Sequence, residues 1–302
     1  MHDAVHLLLE EQLHDPLLIA GFESQSGDTG AAAIRQLVRS WNARLIADID
    51  PDEFFDFTVR RPTVRRQDGQ TVIEWPSNRL YLARCGQRDV ILLDGMEPSL
   101  RWNAFSKALT SLCATLGVSA VLMLDVQPGN VPHTRPRPLR LVGDAAGLRT
   151  LPALLRLESQ PLTYEGPVGI AAVLAEQLHF EGIESGSLQV MVPAYIPGTA
   201  DPQAALAFVA ALDGALGTDT DVEALRAECA AFDQQLTLLM QGTPPLARTV
   251  AWLEQQFDWL KGTTASHPPS PSLPSPASAV ADVERFLKAQ RGQTEAEADS
   301  AV

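Results

Sequence analysis

Five side chains in this sequence could act together on an anionic molecule: Asp28, Glu97, Arg101, His133 and Arg135. Two arginines can hold a phosphate or carboxylate group by paired hydrogen bonds, which is the role expected of Arg101 and Arg135. An imidazole such as that of His133 can act as a general acid or base, and Asp28 or Glu97 could orient it. These residues form a candidate site for a small phosphate- or carboxylate-bearing ligand or for a partner. No residue is assigned as catalytic.

The same residues also have ordinary structural explanations. Glu97 could form an ion pair with Arg101, four positions later on a helical turn. His133 could form hydrogen bonds within its own proline-rich loop, and the Arg60–Arg61 pair could lie at a contact between subunits. Trp102 is more typical of core packing than of a stacking platform. Structural roles and a ligand pocket are therefore both open for this set.

The segment "ESQSGDTGAAA" carries Asp28 from a strand-like run into an alanine-rich helix. Glycines at a helix N-terminus can present N–H groups to a phosphate. However, this loop lacks the lysine and hydroxyl of a P-loop, and its glycines do not follow the G-x-G-x-x-G spacing. Asp28 and Thr29 are natural N-cap residues, and Gly30 allows the helix to approach the sheet closely. The segment is predicted to be a strand-to-helix turn, with an anion site as the alternative.

Apolar runs alternate with helical patterns from Leu17 to about Pro197. Several runs are continuously apolar, as in strands that are covered on both faces. The predicted strands are LLIAGF, ARLIADI, TVIEWP, RLYLARCG, DVILLDG, AVLMLDV, LRLVGDA and SLQVMVPAYI, and the predicted helices are AAAIRQLVRSW, RWNAFSKALTSLCATLG and GPVGIAAVLAEQLHFEG. This alternation predicts an α/β body over residues 1–200, with a mostly parallel or mixed sheet flanked by helices.

The pattern changes after residue 200. Residues 201–262 are predicted to form a helical appendage, in which two long amphipathic segments joined by "GTPP" make a helical hairpin. Residues 263–302 are rich in proline and serine at first and cannot bury enough apolar surface to fold alone. They are predicted to be a largely disordered tail, in which "DVERFLKAQRGQ" could form a short helix that docks on a partner.

Charge and hydropathy exclude several classes of protein. The formal net charge of −14 disfavours binding to nucleic acid or to an anionic membrane, since both require basic surfaces. No apolar run approaches the roughly 20 residues needed to cross a bilayer, and the N-terminal region does not resemble a signal peptide. The chain is therefore expected to be cytoplasmic.

Neither the cysteines nor the sequence motifs indicate a cofactor or a catalytic centre. Cys85, Cys113 and Cys229 lie far apart, do not have the spacing of metal ligands, and are expected to be reduced thiols. The sequence contains no G-x-S-x-G or H-E-x-x-H motif. We expect no metal and no organic cofactor, and a non-enzyme is favoured over an enzyme.

Several segments are more distinctive than a fold requires. They are Ser24–Gly30, the R-R-P triplet Arg60–Pro62, the E-P-x-x-R-W turn Glu97–Trp102, the P-H-T-R-P loop Pro132–Pro136, the Y-x-G-P-x-G segment Tyr164–Gly169 and the V-P-x-Y segment Val192–Tyr195. Together they resemble the PAC2 family, named for proteasome assembly chaperone 2, and in particular its actinobacterial branch. The resemblance spans roughly residues 15–260.

The resemblance implies an α/β fold similar to phosphorylases and hydrolases, and a homo-oligomer that could be a trimer. It also implies an interaction protein of the assembly-chaperone kind without an assigned activity. Two departures limit it. Ala194 replaces a histidine found in many relatives, and the chain ends Ser-Ala-Val, without the hydrophobic-Tyr-X tail by which archaeal relatives dock into proteasomes.

Two functions therefore remain open. The first is a non-catalytic protein that binds a protein partner, which the family resemblance favours. The second is an enzyme or binder of a small anionic ligand that uses the strand-end loops, where α/β proteins place their ligands.

Overall fold

A computed structural model of the chain describes residues 3–24, 27–67, 69–144, 147–196 and 200–262. The predicted tail, residues 263–302, lies outside these described residues. The strands are β1 (Val5–Leu7), β2 (Leu17–Glu23), β3 (Arg44–Ile49), β4 (Thr63–Gln67), β5 (Gln70–Glu74), β6 (Asn78–Cys85), β7 (Arg88–Met96), β8 (Ala120–Gly129), β9 (Leu139–Val142), β10 (Ser159–Gln160) and β11 (Glu184–Pro193). The helices are α1 (Thr29–Ser40), α2 (Trp102–Leu116), α3 (Leu151–Leu155), α4 (Ile170–Phe180), α5 (Pro202–Leu216), α6 (Glu223–Gly242) and α7 (Pro244–Gly262).

Nine strands form one mixed sheet in the order β1-β3-β6-β7-β2-β8-β11-β9-β10. The central strands β7, β2, β8 and β11 run parallel to one another, whereas β1, β3 and β6 add an antiparallel half. At the other side, β9 pairs antiparallel with β11, and β10 follows it in parallel. The predicted fold class, α/β with a mixed sheet flanked by helices, is confirmed.

The sheet carries an apolar core on each face. Alternate side chains of β2 go to opposite faces, so Leu18 and Ala20 join one core while Leu17 and Ile19 join the other. The helices α2 and α4 cover the first face, and α1, α3 and α5 cover the second. Burial on both faces explains why the central strands are continuously apolar.

The C-terminal helices fall into two groups by their packing. α5 packs on α1 and contributes Phe208 and Leu212 to the core of the second face. α6 and α7 form the predicted hairpin, with a separate apolar cluster between them that includes Leu236, Val250 and Tyr195. The predicted division at residues 200 and 262 stays a prediction.

Candidate functional site

The loops that carry the predicted site residues leave one edge of the sheet. β2 lies between β7 and β8, and the three strands run parallel. Because neighbouring parallel strands end at the same edge, the segments that follow them begin side by side. Those segments contain Asp28 after β2, Glu97 after β7 and His133 after β8.

Asp28 forms an ion pair with Arg35, a residue of the helix that follows it. Its Oδ2 accepts a hydrogen bond from Arg35 Nη2 at 2.7 Å. Asp28 lies at the N-cap position of α1, as expected, but its side chain makes no capping hydrogen bond. The predicted close approach is present: a Cβ on Gly30 would lie 2.7 Å from the carbonyl oxygen of Leu124, and one on Gly21 would lie 2.4 Å from that of Gly30. These glycines let α1 begin directly over the sheet.

Glu97 and Arg101 contact different partners. Glu97 Oε1 accepts a hydrogen bond from the backbone N–H of Ile170, 2.8 Å away, and so caps α4. Arg101 pairs with Glu53. The alternative Glu97–Arg101 pair is not formed, because α2 begins only at Trp102 and Arg101 has a left-handed backbone with φ of 55°. Trp102 packs on the core, as expected.

His133 is buried and held by Tyr195. The Tyr195 hydroxyl accepts a hydrogen bond from the His133 backbone N–H at 2.8 Å and lies 2.7 Å from His133 Nδ1. Since the hydroxyl accepts from the backbone, its own proton is available to Nδ1, which suits a neutral imidazole protonated on Nε2. Burial, aided by the charge of Arg137, lowers the pKa of His133. Burial also raises the pKa of Tyr195.

A buried ion pair fixes the same loop from inside. Arg137 Nε donates to Asp201 Oδ2 at 2.7 Å, and the two side chains are 1% and 6% exposed. Arg137 Nη1 also donates to the carbonyl oxygens of His133 and Arg135, each at 2.9 Å. Asp201 Oδ1 caps α5, and the Asp201 backbone N–H donates to Thr29 Oγ1 at 3.0 Å. The pair therefore joins the loop to the starts of α1 and α5.

Arg135 connects the loop to α7. Its Nε and Nη2 donate to the two carboxylate oxygens of Asp258 at 2.8 and 2.6 Å, and its Nη1 lies 3.3 Å from Glu254 Oε1. Thr134 also donates to Glu254. Arg135 was predicted to hold an anionic ligand. In the structure its guanidinium makes a bidentate contact with the carboxylate of Asp258.

The five predicted residues share an edge of the sheet, but each makes its own contact within the protein. Their role towards an anionic ligand stays a prediction. Sequence reasoning did not single out Tyr195, Arg137 or Asp201 as members of the site. A signal was present for Tyr195, since it ends the V-P-x-Y segment, and for Arg137, since it belongs to the proline-rich loop.

A second feature is the β4–β5 hairpin, whose strands are exposed along their whole length. Val64 and Ile73 face each other across it and remain 66% and 53% exposed. At its base, the ring of Trp75 packs edge-on against Phe57 with centroids 4.9 Å apart. An isolated two-stranded hairpin is marginally stable in water, so this ribbon lacks the cover that such an element needs.

A third feature is a cavity of about 620 Å³ between α4 and the strands β8, β9 and β11. Its polar residues include Asp125, Ser187 and Gln189, and α4 lines it with alanines. Sequence reasoning did not single out these residues, because no motif marks them.

The described residues contain no group of three or more His, Cys, Asp or Glu side chains arranged to hold a metal ion. The three cysteines are free and buried. Burial raises the pKa of Cys85 to about 11, that of Cys113 to about 12 and that of Cys229 to about 11, so none is suited to act as a thiolate at neutral pH. Within the same residues, no helix is both long and apolar enough to cross a membrane.

Comparison with known proteins gives a consistent result. The model of the PAC2 family matches residues 18–240. A PAC2 family protein from Streptomyces avermitilis is 32% identical, with a TM-score of 0.67, over 79% of this chain and 99% of that chain. A proteasome-assembly chaperone homologue from Mycobacterium tuberculosis is 30% identical, with a TM-score of 0.65, over 78% of this chain and 99% of that one.

The fold is also shared with a more distant structure. An archaeal proteasome activator from Pyrococcus furiosus superposes with a TM-score of 0.60 at 16% identity, over 78% of this chain and 97% of that chain. At this identity the likeness shows the fold alone. Among curated proteins, none matches the chain.

Proposed function

This chain belongs to the PAC2 family, and on that premise we propose that it is a non-catalytic protein of the assembly-chaperone kind, which holds a protein partner. Proteins related to it at 30% identity or more come from Streptomyces and Mycobacterium, as expected for the actinobacterial branch, and one of them is described as a proteasome-assembly chaperone homologue. Proteasome subunits are therefore the first partners to test. We place the protein in the cytoplasm, where such a partner would be met, and assign it no nucleic acid or membrane.

The observation that carries this proposal is the β4–β5 hairpin. It exposes Val64 and Ile73 on one face, and Val59 just before it is 70% exposed. Exposed apolar side chains grouped on one surface element are typical of a protein interaction site. Burying this face against a partner would supply the apolar cover that the hairpin lacks.

The charge of the hairpin indicates what kind of surface it fits. Arg61 and Arg66 form no ion pair with the other described residues, and Arg65 is matched only by Glu74 on the neighbouring strand. Residues 61–74 thus carry three arginines against Asp68 and Glu74, a net charge of +1 in a chain whose net charge is −14. A partner surface that combines carboxylates with an apolar patch would be complementary to it.

The protein is also proposed to be a homo-oligomer, with a trimer as the predicted state. The family resemblance supports this expectation. The arginines of the ribbon could also meet carboxylates on another copy, so experiments must separate contacts between copies from contacts with a partner.

The test uses the full chain with V64T/I73T, which keeps β-branched side chains in the hairpin but makes its exposed face polar. L238S, at an exposed leucine of α6, serves as the matched control. Binding to separately purified proteasome α and β subunits is measured by calorimetry, and molar mass by light scattering. We expect binding by the wild type and by L238S, and its loss in V64T/I73T at unchanged mass.

Two results would contradict the proposal. Failure of the wild type to bind either subunit would remove the proteasome as partner. A fall in molar mass of V64T/I73T towards the monomer value of 32.6 kDa, with partner binding retained, would assign the hairpin to contacts between copies.

A further inference from the structure

The cavity beneath α4 exists because small side chains meet across it. α4 presents Ala171, Ala172 and Ala175, and β11 faces them with Ser185 and Ser187. Protein interiors are normally close-packed, with few voids larger than a water molecule. A space of about 620 Å³ lies within the range of small-molecule sites.

A hydrogen-bonded chain of side chains lies across the adjoining strands on this face of the sheet. Arg140 Nε on β9 donates to Gln189 Oε1 on β11 at 3.0 Å. Gln189 Nε2 in turn donates to Asp125 Oδ2 on β8 at 3.0 Å. The three residues are neighbours in register, because Gln189 pairs with both Arg140 and Asp125. This chain fixes the Asp125 carboxylate at the cavity.

Two polar side chains at the cavity, Ser187 and Asp125, could each form a further hydrogen bond. Ser187 Oγ is shielded from solvent and has no hydrogen-bond partner among the described residues. Rotation of Ser187 about its Cα–Cβ bond would turn this hydroxyl towards a ligand in the cavity, and the new hydrogen bond would recover the free energy that the unpaired group costs. Asp125 accepts from the backbone N–H of Val126 at 2.9 Å and from Gln189, so its oxygens retain lone pairs for a further donor.

We propose that this cavity binds a small organic molecule with an apolar body and an ammonium group, the ammonium lying at Asp125 and Ser187. This site is separate from the protein-binding role of the hairpin and does not depend on it.

The charges around the cavity select a cation over an anion. Asp125 and Asp144 line it together with His179, and its described lining contains no lysine or arginine. Arg140 lies beyond Gln189 and is engaged with it. Burial raises the pKa of Asp125, against the hydrogen bonds from Val126 and Gln189 and the charge of Arg140, so the charged form of Asp125 leaves room for further compensation by a cation. A ligand ammonium would supply that compensation.

Three probes with one apolar body and different ends test the proposal: 4-phenylbutylamine, 4-phenylbutanol and 4-phenylbutyrate. Their affinities for the full chain are measured by calorimetry at neutral pH. The amine should bind at least about tenfold more tightly than the carboxylate, with the alcohol between them. Equal binding of amine and carboxylate, or no binding of any probe at millimolar concentration, would overturn the proposal.

Variants locate the binding. D125N should reduce the preference for the amine to about threefold or less, since it removes the charge and keeps the shape. A172L should fill the cavity and weaken all three probes, whereas A114L makes the same change on an exposed face of α2 and should leave them unchanged. Circular dichroism and thermal unfolding check that each variant is folded. Retained amine binding in folded A172L would refute this site, even if D125N does not fold.

Discussion

The hydroxyl of Tyr195 lies 2.8 Å from the backbone nitrogen and 2.7 Å from the ring nitrogen Nδ1 of His133, a residue 62 positions earlier in the chain. One oxygen therefore satisfies two buried groups of the loop after β8. The same Tyr195 ring belongs to the apolar cluster of the α6–α7 hairpin. The contact thus links the sheet edge to the C-terminal helices.

Removing the Tyr195 hydroxyl should destabilise the folded protein. Y195F leaves the His133 N–H and Nδ1 buried without a partner, because both residues are more than 90% buried. We expect the free energy of unfolding to fall by about 1–3 kcal/mol, measured by urea denaturation. Y164F is the matched control, since Tyr164 is 58% exposed, and it should change stability by less than about 0.5 kcal/mol. Equal effects of the two variants would contradict this role of Tyr195.

The buried imidazole should make stability depend on pH. Burial, and then the charge of Arg137, lower the pKa of His133, although Asp233, Glu254 and Asp201 act in the opposite direction. The unfolded chain, with its ordinary histidine pKa near 6.5, therefore binds a proton more readily than the folded chain. Unfolding free energy should fall as the pH drops through about 6.5.

The variant H133N isolates this contribution, since its Oδ1 can accept from Tyr195 as Nδ1 does but it does not titrate. Urea denaturation between pH 7.5 and about 5 compares the two proteins. The wild type should lose more stability than H133N over that range. Parallel curves would show that His133 does not contribute.

Removing the cation of the buried Arg137–Asp201 pair should destabilise the folded protein much more than removing the half-buried Arg135. R137M leaves the Asp201 carboxylate buried without its cation, and such a loss costs about 3–5 kcal/mol. R135M changes an arginine of the same loop whose carboxylate partners keep their access to water, and its effect should be far smaller. Thermal and urea unfolding measure both variants. An R135M effect as large as that of R137M would mean that docking of α7, not the buried pair, holds the loop.

Glu184 should act as a charged cap of α3. It accepts hydrogen bonds from the backbone N–H groups of Arg149, Thr150 and Leu151 at 2.7 to 2.9 Å. Burial alone would raise the pKa of Glu184, but these bonds and that from the Thr150 hydroxyl outweigh it and lower the pKa. The free energy of unfolding of E184Q should therefore be about 1–3 kcal/mol lower than that of the wild type at pH 7.

The effect of E184Q should also depend on pH. With a folded pKa below the unfolded value of 4.5, the charge stabilises the protein above that value, and this contribution is lost as the pH falls through the folded pKa. The difference between wild type and E184Q should therefore shrink below about pH 4.5. The exposed E158Q is the control and should match the wild type throughout. A difference that stays constant with pH would argue against a charged cap.

The sequence predicted the fold well because periodicity and burial act locally. Each of the eight predicted apolar runs contains a strand. For the central strands this follows because strands buried on both faces are continuously apolar, whereas the run TVIEWP overlaps β5 although that strand is exposed. Short elements such as β1 and β10 were not predicted, because two or three residues are too few to show a periodic pattern of apolar and polar side chains. β4 was also missed, because its exposed residues show no alternation towards a core.

The partners of the polar residues were harder to predict because they depend on distant parts of the chain. Glu97 meets Ile170, and Arg135 meets Asp258, across separations of 73 and 123 residues. Local spacing made a Glu97–Arg101 ion pair one of two alternatives, and the left-handed backbone of Arg101 before α2 prevents it. The cavity depends on alanines and serines that are unremarkable in the sequence and become informative only when α4 faces β11.

The sheet ends at both sides in very short strands, β1 with three residues and β10 with two. A long bare margin would let another chain add its backbone and grow a continuous ribbon, which is a common route to fibrils. Here the margins offer few amide groups to an incoming strand. The homo-oligomer proposed above would therefore rely on contacts between side chains rather than on strand pairing at these margins, and such an assembly can close at a defined number of subunits.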